Sequence, residues 1–368
     1  MDTFRFIKEK DLQYDSYIEE YTGSIKKCEE SFQIKINEKC SEMAVPPGAF
    51  GQMETLYKKI YSITEGTVNV DKPGILVYVS DNGICEAGVS NNPRSTTYQV
   101  GRNMLEGKAA INLLTEKIEN QLEVVDVGCL TDLEESVTTK VSCGTNNFLE
   151  MPAMTREQAG HALVIGIQKT EEKISEGWNL IGTGEMGVGN TTTSAAVISV
   201  LLQEQVERVV GFGAGLDNEG LNRKIMVIKE GLNKNSPFKD GLDVASKVGG
   251  YDILAIAGTF IACAKHHVPC VIDGVISIAG LLVAQTIVPD ICDYVLPSHN
   301  SMEPGFQLAA KRLGLEPFFQ FNMRLGEGSG CPFLFQLVGT SCFLIENMSQ
   351  FEEVGLNRLD YVDIRNNN

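Results

Sequence analysis

Repeated alternation of an apolar run, a polar glycine-bearing loop and a helix-like stretch predicts an α/β chain. The expected architecture is a doubly wound, Rossmann-like parallel sheet with a smaller helical domain formed by both chain ends. Three observations carry this. Runs such as Ile75-Leu76-Val77-Tyr78-Val79-Ser80 are continuously apolar and suit strands buried on both faces. Several of these runs end in polar loops, where the ligands of open parallel sheets bind. A length of 368 residues exceeds the ~250–300 that one core usually supports. The expected division is therefore an N-terminal helical part at 1–72, a large α/β domain at 73–305, and a C-terminal part at 306–368 that completes the small domain.

In order, residues 1–70 are charged and helix-like, with Ile18, Tyr21, Ile25 and Cys28 at roughly helical spacing. Val45-Pro46-Pro47-Gly48 breaks the pattern before a helix at 53–63. The run 75–80 is a strand ending at Asp81-Asn82-Gly83, a helix is expected over 98–117, and 122–128 is a second strand, which makes a βαβ unit. Trp178, Leu180 and Ile181 suit a further strand. Arg208-Val209-Val210-Gly211-Phe212 reads as another, followed by a glycine loop at 213–220 and a helix at 221–232. Helices at 243–248 and 253–265 precede strands at 270–274 and 294–299, and the tail from Met302 returns to helices around 324–330.

Composition narrows the function classes. A net charge of −17 with no strongly basic stretch argues against nucleic acid or an anionic membrane as partner. Ten cysteines without C-x-x-C pairs disfavour zinc ribbons and disulfide exchange, and suit core residues of a reducing compartment. The apolar run at 276–288 is broken by Gly280 and Gln285 and is too short to span a bilayer, and the start of the chain lacks a leader-like apolar stretch. A cytoplasmic protein is expected. The four histidines have no metal-ligand spacing, so no metal is expected; His161, His266 and His267 read as structural, whereas His299 follows a strand and could line a pocket.

The stretch from Trp178 to Ala196 reads as strand, anion loop and helix start. Gly182, Gly184, Gly187 and Gly189 permit close backbone approach, and Asn190 with the Thr191-Thr192-Thr193-Ser194 run can cap a helix beginning near Ser194. Such an end attracts phosphate. No Lys follows the glycines and the dinucleotide spacing is absent, so neither a Walker loop nor an NAD site is supported. The residues alone leave a structural turn and a ligand loop both open, and Glu185 is the odd carboxylate inside it. Glu327, between Gly326 and Gly328 with Phe318, Phe319, Phe321 and Leu325 nearby, is either a desolvated general base or an exposed turn residue. Lys224 is either a phosphate partner or, more commonly for a lysine, a surface residue.

Gly184-Glu185-Met186-Gly187-Val188-Gly189-Asn190-Thr191-Thr192, Ser246-Lys247-Val248-Gly249-Gly250, Asp273-Gly274, Pro297-Ser298-His299 and Met323-Arg324-Leu325-Gly326-Glu327-Gly328-Ser329-Gly330 together resemble the nicotinate-nucleotide:dimethylbenzimidazole phosphoribosyltransferase family. Pro46-Pro47-Gly48, Asp81-x-Gly83 and Glu86-x-Gly88-Val89 fit it as well. The resemblance implies transfer of phosphoribose from nicotinate mononucleotide to a cobamide lower-ligand base, either a benzimidazole or a phenol, with release of nicotinate. It implies Glu327 as the catalytic base and Glu185, Gly187, Lys224 and Ser301 at the mononucleotide. Asn190, Thr191, Leu325, Gly326, Asp81, Asn92 and Gln99 complete the substrate-binding set. No cofactor and no metal are implied, since the mononucleotide is a substrate. The partner is a second copy or a related paralogous chain. The family commonly has His where Asn82 stands and Lys where Val45 stands, which bears on the acceptor and not on the transfer. The competing expectation is a non-catalytic or regulatory paralogue that binds the mononucleotide; without the resemblance, a generic sugar-phosphate-binding α/β enzyme would remain.

Overall fold

In the computed structural model, residues 13–134 and 137–364 are described. The chain start, expected to lack a leader, lies outside them. Five parallel strands form one sheet: β1 (Pro73–Ser80), β2 (Gln121–Gly128), β3 (Leu180–Met186), β4 (Cys270–Ile272) and β5 (Val295–Pro297), in the order β2-β1-β3-β4-β5. This is the doubly wound arrangement expected. The order reverses between β1 and β3, and such a switch point opens a crevice at the carboxyl ends of the two strands.

Both faces of the sheet are covered, as the unbroken apolar runs require. Alternate residues of β1 point to opposite faces, so Leu76 and Tyr78 join one apolar cluster while Ile75, Val77 and Val79 join the other. The first face packs on α6 (Arg156–Ser175) and α11 (Tyr251–Lys265). These two helices touch through glycines: a Cβ on Gly166 would lie 1.9 Å from the Ala255 carbonyl oxygen, and one on Gly258 would lie 2.0 Å from that of Leu163. A capping box starts α6, with the Gln158 amide donating to Thr155 Oγ1 at 3.1 Å and the Thr155 amide donating to Gln158 Oε1 at 3.0 Å. On the second face, Leu180, Val271 and Leu296 share a cluster with Cys331, Leu334 and Phe335 of α14 (Cys331–Asn347), which also packs against α3 (Gln52–Ile63). The first and last parts of the chain therefore meet. Among the described residues, no helix is long and apolar enough to cross a membrane.

Several local expectations are corrected. Residues 208–212 are not a strand: Val206–Val209 form a short helix, α8, and β3 pairs directly with β4. The helix expected over 98–117 is two, α4 (Thr96–Leu105) and α5 (Ala110–Lys117), parted at Gly107, whose φ of 72° no helix continues through. Ile25 and Cys28 lie between α1 (Tyr14–Thr22) and α2 (Glu30–Ser41) rather than on one helix. Residues 324–330 are a loop, because glycines at 326, 328 and 330 disfavour helix; α14 starts after them. The helix after the glycine loop at 184–189, α7 (Asn190–Leu202), begins at Asn190 rather than near Ser194, with Gly189 as its N-cap at φ 92° and no side-chain cap.

Candidate functional site

A cavity of about 310 Å³ opens at the switch point, bounded by the loops after β3, β4 and β5 and by the 324–327 segment. Its walls include Glu185, Gly187, Asn190, Thr191, Lys224 and Ser301. Asn92, Leu325, Gly326 and Glu327 complete its rim. Most of the predicted residues are thus brought to one place from segments as far apart as 92 and 327.

Asn190 and Thr191, in the first turn of α7, line the cavity, which brings the positive end of that helix to it. Lys224 lies on α9 (Asn218–Asn235) and is fully buried, so the surface reading is wrong. Its Nζ donates to Thr191 Oγ1 at 2.8 Å and to the Gly211 carbonyl at 3.3 Å. Burial lowers its pKa to about 8, opposed by the nearby Glu303 carboxylate. Glu303 in turn accepts the Gly213 amide at 3.0 Å and so fixes the second glycine loop. A cation, a hydroxyl and a helix N-terminus converging on one space can hold a phosphate.

Glu185 sits at the end of β3, and its carboxylate accepts a hydrogen bond from the Asn190 side-chain amide. Its pKa is pushed up to about 8, first by burial and then by the carboxylates of Asp252 and Asp273. A carboxyl that holds its proton at neutrality donates to a hydroxyl without repelling a neighbouring phosphate. A raised pKa of this size reconciles an acid with an anion loop.

Glu327 belongs to a loop in which Gly326, Glu327 and Gly328 all have positive φ, at 83°, 61° and 78°. Its side chain is half-buried and not the exposed turn residue that was the alternative. The Ile111 amide, in the first turn of α5, donates to Glu327 Oε2 at 3.2 Å. Burial raises its pKa and the Ile111 hydrogen bond offsets part of that rise. Of the apolar residues expected to shield it, Leu325 and Phe321 are themselves exposed; Phe321 stacks on Phe319 and meets the edge of Phe333. Positioned at the cavity rim with a raised pKa, Glu327 can take up a proton from an incoming group.

Two predicted residues are placed elsewhere. Asp81 is buried beneath the loop after β1, where its Oδ2 accepts the Leu130 amide at 2.9 Å and its Oδ1 faces Arg94 at 3.6 Å. Gln99 is exposed on α4 and is not among the cavity-lining residues. His299 does line the cavity; it is buried, its Nδ1 is 3.0 Å from Ser298 Oγ, and burial lowers its pKa to about 4. His161 stacks on Tyr14 and His266 Nε2 is 3.0 Å from Glu171, in line with their structural reading.

Sequence reasoning gave three acids no role at the site. Asp273 ends β4 and accepts the amides of Gly328 and Gly330. Asp252 is buried at the start of α11 beside Asn82 and Asn190, and burial raises its pKa to about 6. Glu303 is the third. Asp252 had a signal, a lone acid inside the apolar run Tyr251-Asp252-Ile253-Leu254-Ala255. Asp273 was visible in the Asp273-Gly274 motif at a strand's end, and Glu303 carried no signal.

Residues 25–356 match the model of the DBI_PRT family, described as phosphoribosyltransferase. The nicotinate-nucleotide--dimethylbenzimidazole phosphoribosyltransferase of Clostridium acetobutylicum is 40% identical over 339 residues, which cover 91% of this chain and 96% of that protein. The protein of the same name from Acetivibrio thermocellus is 41% identical over 322 residues, 86% of this chain and 92% of its own. Among solved structures, the crystal structure of CobT from Thermus thermophilus superposes with a TM-score of 0.86 at 33% identity, covering 89% of this chain and 99% of that one.

Proposed function

This chain belongs to that phosphoribosyltransferase family, and from this premise we propose that it moves phosphoribose from nicotinate mononucleotide to an aromatic lower-ligand base of the dimethylbenzimidazole class. The supporting observation is the convergence of Lys224 and the α7 end, a buried Glu185 of raised pKa and a partly desolvated Glu327 on one cavity.

Lys224, Thr191 and the N-terminal end of α7 hold the phosphate, and Glu185 meets the ribose hydroxyls. The pyridinium of the mononucleotide is already a good leaving group. The acceptor nitrogen attacks the anomeric carbon from the face opposite the pyridinium, the C–N bond to nicotinate breaks with its electron pair staying on the pyridine nitrogen, and Glu327 takes the proton the acceptor loses. Inversion gives the α-riboside phosphate. Orientation and proton removal are the two contributions required of the protein. No cofactor takes part in this scheme.

The acceptor lies against the apolar side of the cavity, near Val89, Val100, Met186 and Val188. A phenol would need the same proton removal by Glu327 as a benzimidazole. We place the pairing surface for a second copy, or for a related chain, on α14, where Phe333 and Phe343 are exposed, the latter at 72%. The test is incubation with nicotinate mononucleotide and, in turn, dimethylbenzimidazole, adenine, phenol and p-cresol, with products detected by mass. A ribosylated acceptor together with free nicotinate is expected. Binding of the mononucleotide without any product would support a non-catalytic paralogue.

A further inference from the structure

Glu327 holds a left-handed conformation that an L side chain resists, and it does so between two glycines that share it. Something must over-determine that loop. We propose that Asp273 is a positioning residue that clamps the loop and so aims Glu327 into the cavity; this rests on the reading of Glu327 as the general base. Asp273 Oδ2 accepts the Gly328 amide at 3.1 Å and Oδ1 accepts the Gly330 amide at 2.7 Å, so one buried carboxylate brackets the chain immediately after Glu327 and ties it to the end of β4. The loop has no slack elsewhere. A Cβ on Gly328 would lie 2.8 Å from Ile75 Cγ2, and one on Gly330 would lie 2.2 Å from His299 Nδ1.

The carboxylate is suited to this in a way its amide is not. Burial raises the Asp273 pKa to about 7 against the pull of the Gly330 and Gly328 amides; above that pH the ionised Asp is acceptor-only and satisfies both N–H groups, whereas Asn offers one acceptor and sets its own N–H against the second amide. His299 supplies no counter-charge: its Nδ1 is 3.9 Å from Asp273 Oδ1, and burial keeps the ring neutral. Glu185 and Glu327 are the other carboxyl groups facing this point. With the Ile111 amide on its side chain and Asp273 on its backbone, Glu327 is fixed from two sides.

The test compares Asp273→Asn, Glu327→Gln and the double variant, each checked for native circular dichroism. For Asp273→Asn, kcat should fall at least ~10-fold, as expected for a misplaced catalytic group, while the KM for nicotinate mononucleotide changes less than about threefold. The double variant should be no more than about twofold slower than Glu327→Gln alone, since groups acting as a unit are non-additive. Hydrogen exchange over residues 326–331 should be slow in the wild type and fast in Asp273→Asn. Additive losses, or a raised KM with kcat retained, would overturn the proposal and make Asp273 a substrate contact or a general stabiliser. Should Asp273→Asn not fold, wild-type exchange decides: unprotected Gly328 and Gly330 amides sink the clamp. A wild type that transfers to no acceptor defeats the functional reading, and the exchange measurement still judges the clamp.

Discussion

Individual side chains in the cavity owe their chemistry to where they are buried. Lys224 is the clearest case: in sequence it is one lysine of an amphipathic helix, but the fold removes it from water and points it at Thr191. Replacing it with Met should weaken nicotinate mononucleotide binding on the order of 10- to 100-fold, the ~1.5–3 kcal/mol carried by a hydrogen bond to a charged group. Calorimetric titration checks this, and an unchanged Kd would remove Lys224 from the phosphate site. Glu185 gives a stability prediction. Its folded pKa, about 8, lies above its ordinary value, so the folded state holds a proton the unfolded chain gives up, and its contribution is lost as pH rises toward and through 8. Below about pH 6.5 the lowered pKa of His299 acts in the opposite sense, which leaves pH 6.5–8 as the informative window. Over that window denaturant unfolding should show wild-type stability falling more than that of Glu185→Gln; parallel curves would contradict the raised pKa. The burial of Lys224 and the pairing of Asp81 with Leu130 were not legible in the sequence, because both depend on contacts between segments well separated along the chain, Lys224 with Thr191 and Asp81 with Leu130.

Elements were more legible than the side chains they carry. The strands at 75–80 and 122–128 were readable because a parallel strand covered on both faces needs an unbroken apolar run. The segment 208–212 misled for the same reason: Val209 and Val210 are buried, but against helices rather than in the sheet. The glycine loop at 184–189 and the loop at 324–330 were recognised as a site by their motif, while their backbone shape, with Glu327 at positive φ, emerged only in three dimensions. Helix contacts through Gly166 and Gly258 are a further element-level feature. Gly166→Val places side-chain carbon against the Ala255 backbone, which cannot yield as a flexible side chain could. It should destabilise by at least about 1–3 kcal/mol, the usual range for overpacking, read as a lower denaturation midpoint; no change would mean α6 and α11 can separate freely.

For the molecule as a whole, the sheet order places the crevice between β1 and β3, and the chain uses that crevice as the fold dictates, with acids and amides from β3, β4, β5 and the C-terminal loop around one space. The C-terminal segment closes the site by running back over the sheet into α14, whose outer side exposes Phe333 and Phe343. If that side pairs with a second chain, Phe343→Glu should sediment as a monomer where the wild type sediments as a dimer; identical masses would place the pairing elsewhere.

In the proposed reaction Glu327, carried in from the far end of the sequence, removes the acceptor's proton over a mononucleotide cradled by the 184–193 loop. Its most direct test is the pH dependence of turnover with nicotinate mononucleotide and dimethylbenzimidazole for wild type and Glu327→Gln. The wild-type rate should fall on the acid side at a pH above the ordinary glutamate range, and the variant should be at least ~100-fold slower and lack this limb; wild-type turnover with the same acid limb in the variant would rule Glu327 out as the base.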